Sequence, residues 1–238
     1  MAGHSARQTD AESQVAPLSP PSRRDVWYTI GLGLALLVSI GATLGTFYLS
    51  WVLTAEPFRM FDGVFSPVDA ESLHPSRWLT WGHASVASCF LITNLVNRRY
   101  GEQMALAHVV ASSMLCALVA AAISSGAIEL PQLPPLSPTL RQVAAFMTAL
   151  MLGQAASVIV FDRTRGVEWW NAPAYSALTA TLISMPLYYA FAYAGEDWVW
   201  LNRMAIDIAL KAVAAFVLLI PYFLLRPVVR PGEGLGGF

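Results

Sequence analysis

The sequence predicts an all-α integral membrane protein, a bundle of six transmembrane helices, on three observations. Hydrophobic residues make up 56% of the 238 and charged residues only 12%, against about 25% charged in ordinary soluble domains. Mean hydropathy is +0.53. Six stretches approach the roughly 20 apolar residues that a spanning helix needs, at 27–53, 78–96, 103–128, 141–161, 172–194 and 203–225. The third observation is that the arginines alternate in density from one connection to the next.

Residues 1–25 precede the first span. They are polar, contain Pro and Ser, and lack the apolar core and small-residue cleavage site of a signal peptide, so a disordered tail is expected. The transmembrane domain then covers 26–226, and 227–238 forms a second tail. Arg7, Arg23 and Arg24, Arg98 and Arg99, Arg163 and Arg165, and Arg226 and Arg230 fall on one side. The other side holds only Arg59, Arg77, Arg141 and Arg203. The excess of basic residues in short loops marks the cytoplasmic face, which puts both termini in the cytoplasm and makes Arg98 and Arg99 a cytoplasmic anchor of the second span. The inner membrane is the expected location.

The first outer connection, 54–77, is long and polar, with Glu56, Asp62, Asp69 and Glu71 beside three prolines. The second, ELPQLPPLSP at 129–138, reads as a rigid extended link. Trp78, Trp81, Trp169, Trp170, Trp198 and Trp200 fall at span ends, where an aromatic belt sits. Gly31, Gly33, Gly41 and Gly45 in the first span, and Ala120, Ala121, Ala122, Ser124, Ser125 and Gly126 in the third, are expected to let helices approach closely. Pro186 is expected to kink the fifth span. Cys89 and Cys116 lie inside spans and are expected to pack as small apolar groups.

Polar groups at membrane depth are costly, and each suggests a role. Asn94 lies near the cytoplasmic end of the second span, and Gln154 and Ser157 lie within the fourth. Ser184, Tyr188 and Tyr189 lie in the fifth, Asp207 and Lys211 one turn apart in the sixth, and His83 and His108 nearer span ends. Amides pair with the edges of heterocycles and tyrosines stack on flat rings, so Asn94, Gln154, Ser157, Ser184, Tyr188, Asp207 and Lys211 together suit a pocket for a small planar polar solute. Interhelical hydrogen bonds account for any one of them equally well, and only their number favours a pocket. No metal-spaced His/Cys/Glu cluster, Walker loop, GxSxG or CxxCH motif is present. No enzymatic activity, cofactor or resident metal is expected, and no nucleic acid; the partners are a small-molecule solute and the lipid bilayer.

LTWGHASVASCFLITNLVNRRYG (79–101), GQAASVIVFDRTR (153–165), WWNAPAYSALTATLISMPLYY (169–189) and DIALKAVAAFVLLIPY (207–222) resemble, in order, the motifs of the VUT family, the queuosine precursor transporters. The resemblance spans about 78–225. It implies a six-span importer of 7-deazaguanine precursors and places Asn94, Gln154, Ser157, Ser184, Asp207 and Lys211 where the family has polar intramembrane residues. Where the family usually carries Asp, this chain has Asn94, Ser157 and Ser184, groups that neither carry charge nor take a proton from a gradient. Two readings follow: a transporter of a purine-like solute, or a transporter-derived accessory subunit of a larger membrane complex that no longer transports. A cargo of another class, such as a vitamin, is a third, and the sequence leaves homo-oligomers open.

Overall fold

The computed structural model describes residues 23–60, 74–128, 139–196 and 199–232. The expected tail up to residue 22, most of the connection at 54–77, the proline-rich link at 129–138 and the last six residues lie outside these. The described residues are helical, with a single isolated bridge pairing Pro57 and Thr80. Helix α1 (Arg23–Val52) continues into a 3-10 turn, Leu53–Ala55, and is followed by α2 (Trp81–Ser85), α3 (Ser88–Tyr100) and α4 (Glu102–Ser124). After them come α5 (Leu140–Arg163), α6 (Asn171–Tyr193), α7 (Val199–Val217) and α8 (Leu219–Leu225).

Residues up to Ala35 form one compact unit and Leu36–Phe238 a second. In the first, Trp27, Tyr28, Ile30 and Leu34 are exposed, an apolar surface suited to lipid.

Four helical stretches are long and apolar enough to cross a membrane: Trp27–Ala55, Glu102–Ser124, Leu140–Arg163 and Val199–Leu225. They correspond to the first, third, fourth and sixth expected spans and make this a multi-pass membrane protein. The other two expected spans take different forms. The 23-residue α6 has the length, but its Ser, Thr, Tyr and Pro residues lower its hydropathy. It remains one helix through Pro186, whose missing N–H leaves the carbonyl of Leu182 without its helical donor.

The stretch expected as a second span is divided into α2 and α3. Phe58 N–H donates to the carbonyl of Leu79 and Trp81 N–H to that of Glu56, which holds residues 79–80 extended. A capping box between Thr80 and His83 then starts α2. At Val86 and Ala87 the bonding tightens to three-residue steps, Ala87 to Ala84, Cys89 to Val86 and Phe90 to Ala87, before α3 begins. Gly82 locks α2 against α1: a Cβ there would lie 2.4 Å from the carbonyl oxygen of Ser50.

The closest helix pairing is between α5 and α6. Ala145, Ala149, Gly153 and Ser157 recur every fourth residue on α5 and are buried, as are Ser176, Ala180 and Ser184 on α6. A Cβ on Gly153 would come within 2.6 Å of the Ala180 carbonyl and 2.9 Å of Ser184 Cβ. The glycines expected to serve this purpose in the first span do not: a Cβ on Gly41 or Gly45 would meet nothing within 4 Å. The inward face of α1 carries Ser39, Thr43 and Ser50 instead. Cys89 and Cys116 are free and buried. Residues Ala87, Phe90, Leu150, Ala177, Ala180 and Ala215 form a core joining α3, α5, α6 and α7.

Gly153→Ala is expected to destabilise the purified protein by about 1–3 kcal/mol through overpacking against backbone. Gly41→Ala and Gly45→Ala should be neutral or slightly stabilising, because helix propensity rises where space is open. Thermal unfolding in detergent checks both, and equal effects at the three positions would contradict the packing.

Candidate functional site

One face of the last span organises the interior. Asp207, Lys211, Ala215, Leu218 and Tyr222 recur at steps of four, four, three and four residues, and Asp207 and Lys211 are each 1% exposed. Lys211 Nζ donates to Asp207 Oδ1, and the Tyr189 hydroxyl donates to Oδ2 at 3.4 Å. Both carboxylate oxygens are thereby engaged. The Tyr189 and Tyr193 rings stack with centroids 5.6 Å apart, and the Tyr188 ring lies edge-on to Tyr189 at 5.0 Å. Ala84 of α2 packs in one cluster with Ile206 and Leu210 of α7, so α2, α6 and α7 meet here. The boundary between α7 and α8 follows from Pro221, whose ring displaces the carbonyl four residues back, at Val217.

Further along this face, Ala215, Leu218 and Tyr222 join Phe90, Asn94 and Ala177 around a cleft of about 10 Å³, room for one water. Asn94 Nδ2 donates to the Pro173 carbonyl at 3.2 Å, and its Oδ1 accepts from Ser176 Oγ at 2.7 Å. An amide has two N–H groups and two acceptor lone pairs, so one donor and one acceptor position remain at a residue lining the cleft.

Beyond the cleft, Arg98 lies near Tyr222, and its Nε donates to the Val229 carbonyl at 3.0 Å. Arg99 Nη1 donates to the Arg230 carbonyl, and Gly232 N–H returns a bond to the Arg99 carbonyl. The segment after α8 is strapped across the end of α3. Arg98, expected as an interfacial anchor alongside Arg99, is 7% exposed and points inward.

The remaining sequence candidates are placed differently. Gln154 is buried and accepts through Oε1 from Thr93 Oγ1. Ser157 and Ser184 donate to carbonyls of their own helices, at Gln154 and Ala180. Of the residues singled out in the sequence, Asn94 lines the cleft. His108 is held between Ser39 Oγ, 3.0 Å from Nδ1, and Thr43 Oγ1, 3.3 Å from Nε2. Asn97 donates to the Val158 carbonyl, and its own carbonyl and Oδ1 accept from Arg165.

Sequence reasoning missed Ser176, Thr181 and Tyr222. Thr181 is fully buried and its hydroxyl has no hydrogen-bond partner; it lies one turn from Ala177, on the way to the tyrosines. Tyr222 was findable by extending the Asp207 to Lys211 period along the helix.

A family model described as putative vitamin uptake transporter matches residues 80–225, more than half of the chain. The chain belongs to this family. No curated protein and no solved structure matches it. The matched region contains α2 to α8 and so the whole of the polar face and the cleft, while α1 lies outside it. The matched family is one of transporters and not of enzymes.

Removing one member of the Asp207–Lys211 pair should leave the other charge uncompensated at a cost of about 3–5 kcal/mol, and removing both should cost less. Lys211→Met and Asp207→Asn are each expected to lower membrane accumulation, and the double variant to recover it at least in part. Normal accumulation of both single variants would contradict a buried ion pair.

Proposed function

We propose that the chain is a six-span secondary transporter of the inner membrane, with both termini cytoplasmic, which imports a small planar purine-like solute of the 7-deazaguanine type found in queuosine precursors. In this reading α2 and α3 together make one broken span and α6 a continuous one. The observation that carries the proposal is the Asn94 cleft, at the junction of α3, α6 and the last span, with the Asp207–Lys211–Tyr189 cluster along the same helix face. The spare donor and acceptor of Asn94 suit the lactam and amino edges of such a base. Ala177 and Ala215 contribute small side chains to the cleft wall beside Phe90, Leu218 and Tyr222.

A cleft of about 10 Å³ is closed to any such solute, so transport requires the walls to part. The interruptions at Val86–Ala87 and at Leu218 lie on two of the three helices involved and are natural hinge points. Discontinuous helices border the binding sites of many secondary transporters. With neutral groups at Asn94, Ser157 and Ser184, ion coupling would fall to Asp207.

A specific observation favours the second reading, an accessory subunit without transport: Gln154, Ser157 and Ser184 direct their hydrogen bonds to Thr93 and to their own helices. Uptake of a labelled 7-deazaguanine precursor into cells lacking their own importer separates the two. The transporter predicts that Asn94→Leu cuts uptake per accumulated molecule about tenfold, the equivalent of about 1.4 kcal/mol or one good hydrogen bond. Gln154→Leu should reduce protein level and uptake together. Absence of uptake by the accumulated wild-type protein would exclude this cargo. Cytoplasm-active reporters should work after Phe238 and within 98–102 and fail within 54–77; the reverse pattern would overturn the orientation.

A further inference from the structure

The chain turns at the end of α8 and comes back across α3. Pro227 has no N–H to extend the helix, and the amides of Val228 and Val229 both close on the Leu225 carbonyl, at 3.1 and 2.8 Å. That turn brings residues 229–232 to the last turn of α3. Arg98 Nε and Arg99 Nη1 donate to the carbonyls of Val229 and Arg230, each at 3.0 Å, and Gly232 N–H donates to the Arg99 carbonyl at 3.1 Å. The Arg99 carbonyl is among those that a helix leaves unpaired at its end, and the returning segment satisfies it.

The place of these bonds relative to the cleft gives them a function. Phe90, Asn94 and Arg98 are buried and follow one another at four-residue steps on one face of α3. Phe90 and Asn94 line the cleft, and Arg98 comes next, near Tyr222, which lines it too. The segment that holds Arg98 therefore stands at the end of the cleft. Its hold is light: residues 227–232 are exposed or half-buried, and a segment secured by a few exposed hydrogen bonds, with little apolar burial, opens before the helices behind it. Release takes the Val229 carbonyl from a guanidinium that is 7% exposed, and an enclosed charge that loses its partner has to turn outward to water.

We propose that residues 227–232 are a gate: bonded to Arg98 and Arg99 they close the cleft at this end, and their release, with Arg98 following, opens it. The proposal rests on the reading of the cleft as a solute path, and it holds for any solute carried.

The test uses the full-length chain with Cys89 and Cys116 replaced by Ser and Ala215→Cys as reporter, in lipid nanodiscs, where a small water-soluble thiol reagent reaches both faces. Arg99→Ala with Gly232→Pro removes two of the bonds and leaves Arg98 in place. Labelling at 215 should speed up about tenfold in the double variant and about threefold in each single one, the effect of one exposed hydrogen bond apiece. Arg141→Ala removes two arginine bonds to carbonyls at the far end of α6, Phe191 and Ala194, and should leave the rate unchanged. In the unsubstituted chain, hydrogen exchange at 228–232 should run ahead of exchange in α3. An unchanged rate in the double variant, an equal rise in Arg141→Ala, or exchange at 228–232 as slow as in α3 would each overturn the gate. Should the double variant fail to fold by circular dichroism, the exchange comparison decides. A rise on release in a chain that takes up no labelled 7-deazaguanine precursor would keep the gate and reject that cargo.

Discussion

An ammonium group in the middle of an apolar helix has to meet a counter-charge where it stands, because lipid offers none. In this protein that requirement sets the rotation of the last span. With Lys211 bonded to Asp207 and Asp207 to Tyr189, the face that carries them must turn inward, and Ala215, Leu218 and Tyr222 follow because they lie at helical steps along it. The inward turn of Tyr222 brings it to Arg98, and Arg98 in turn reaches the segment after α8. One ion pair thus fixes which residues of the last span line the cleft.

The neighbouring helices meet this face by different physical means. Helix α6 is held against α5 through backbone contact at Gly153, which leaves its other side for Pro173, Ala177 and Tyr189. Helix α3 is positioned by amide bonds: Asn94 to Pro173 and Ser176, and Asn97 to Val158. Each amide spans a helix interface and so satisfies a buried polar group while fixing register. The result is a closed arrangement in which alanines separate two polar clusters, with the unpartnered Thr181 hydroxyl between them.

Much of this was legible in the sequence where the signal was local. The apolar stretches gave four continuous spans, the four-residue spacing of Asp207 and Lys211 gave their pairing, and the ordered motifs gave the family. What was not legible arises from tertiary contact or from geometry that residue type does not reveal. Gly41 and Gly153 look alike in a sequence, yet only the second faces another backbone. Adjacent Arg98 and Arg99 look alike too, and the turn of about 100° between helical neighbours sends one inward and leaves the other exposed. A serine in a helix always has a carbonyl one turn back within reach, and Ser157 and Ser184 both donate to it, a bond that residue type does not announce. The extended entry into α2 depends on Glu56, Phe58 and Ser50 holding residues 79–82 in place, which no periodicity within the span encodes.

The central claim is that the junction of α3, α6 and the last span is a path that opens to solute. Cysteine at position 215, in a chain with Cys89 and Cys116 replaced by Ser, measures this directly through its rate of reaction with a small water-soluble thiol reagent. An opening path predicts slow but measurable labelling of Ala215→Cys that a 7-deazaguanine solute suppresses, while Glu102→Cys, at an exposed helix start, labels rapidly with or without solute. Complete inertness at 215 under conditions in which position 102 reacts, or labelling indifferent to the solute, would contradict it.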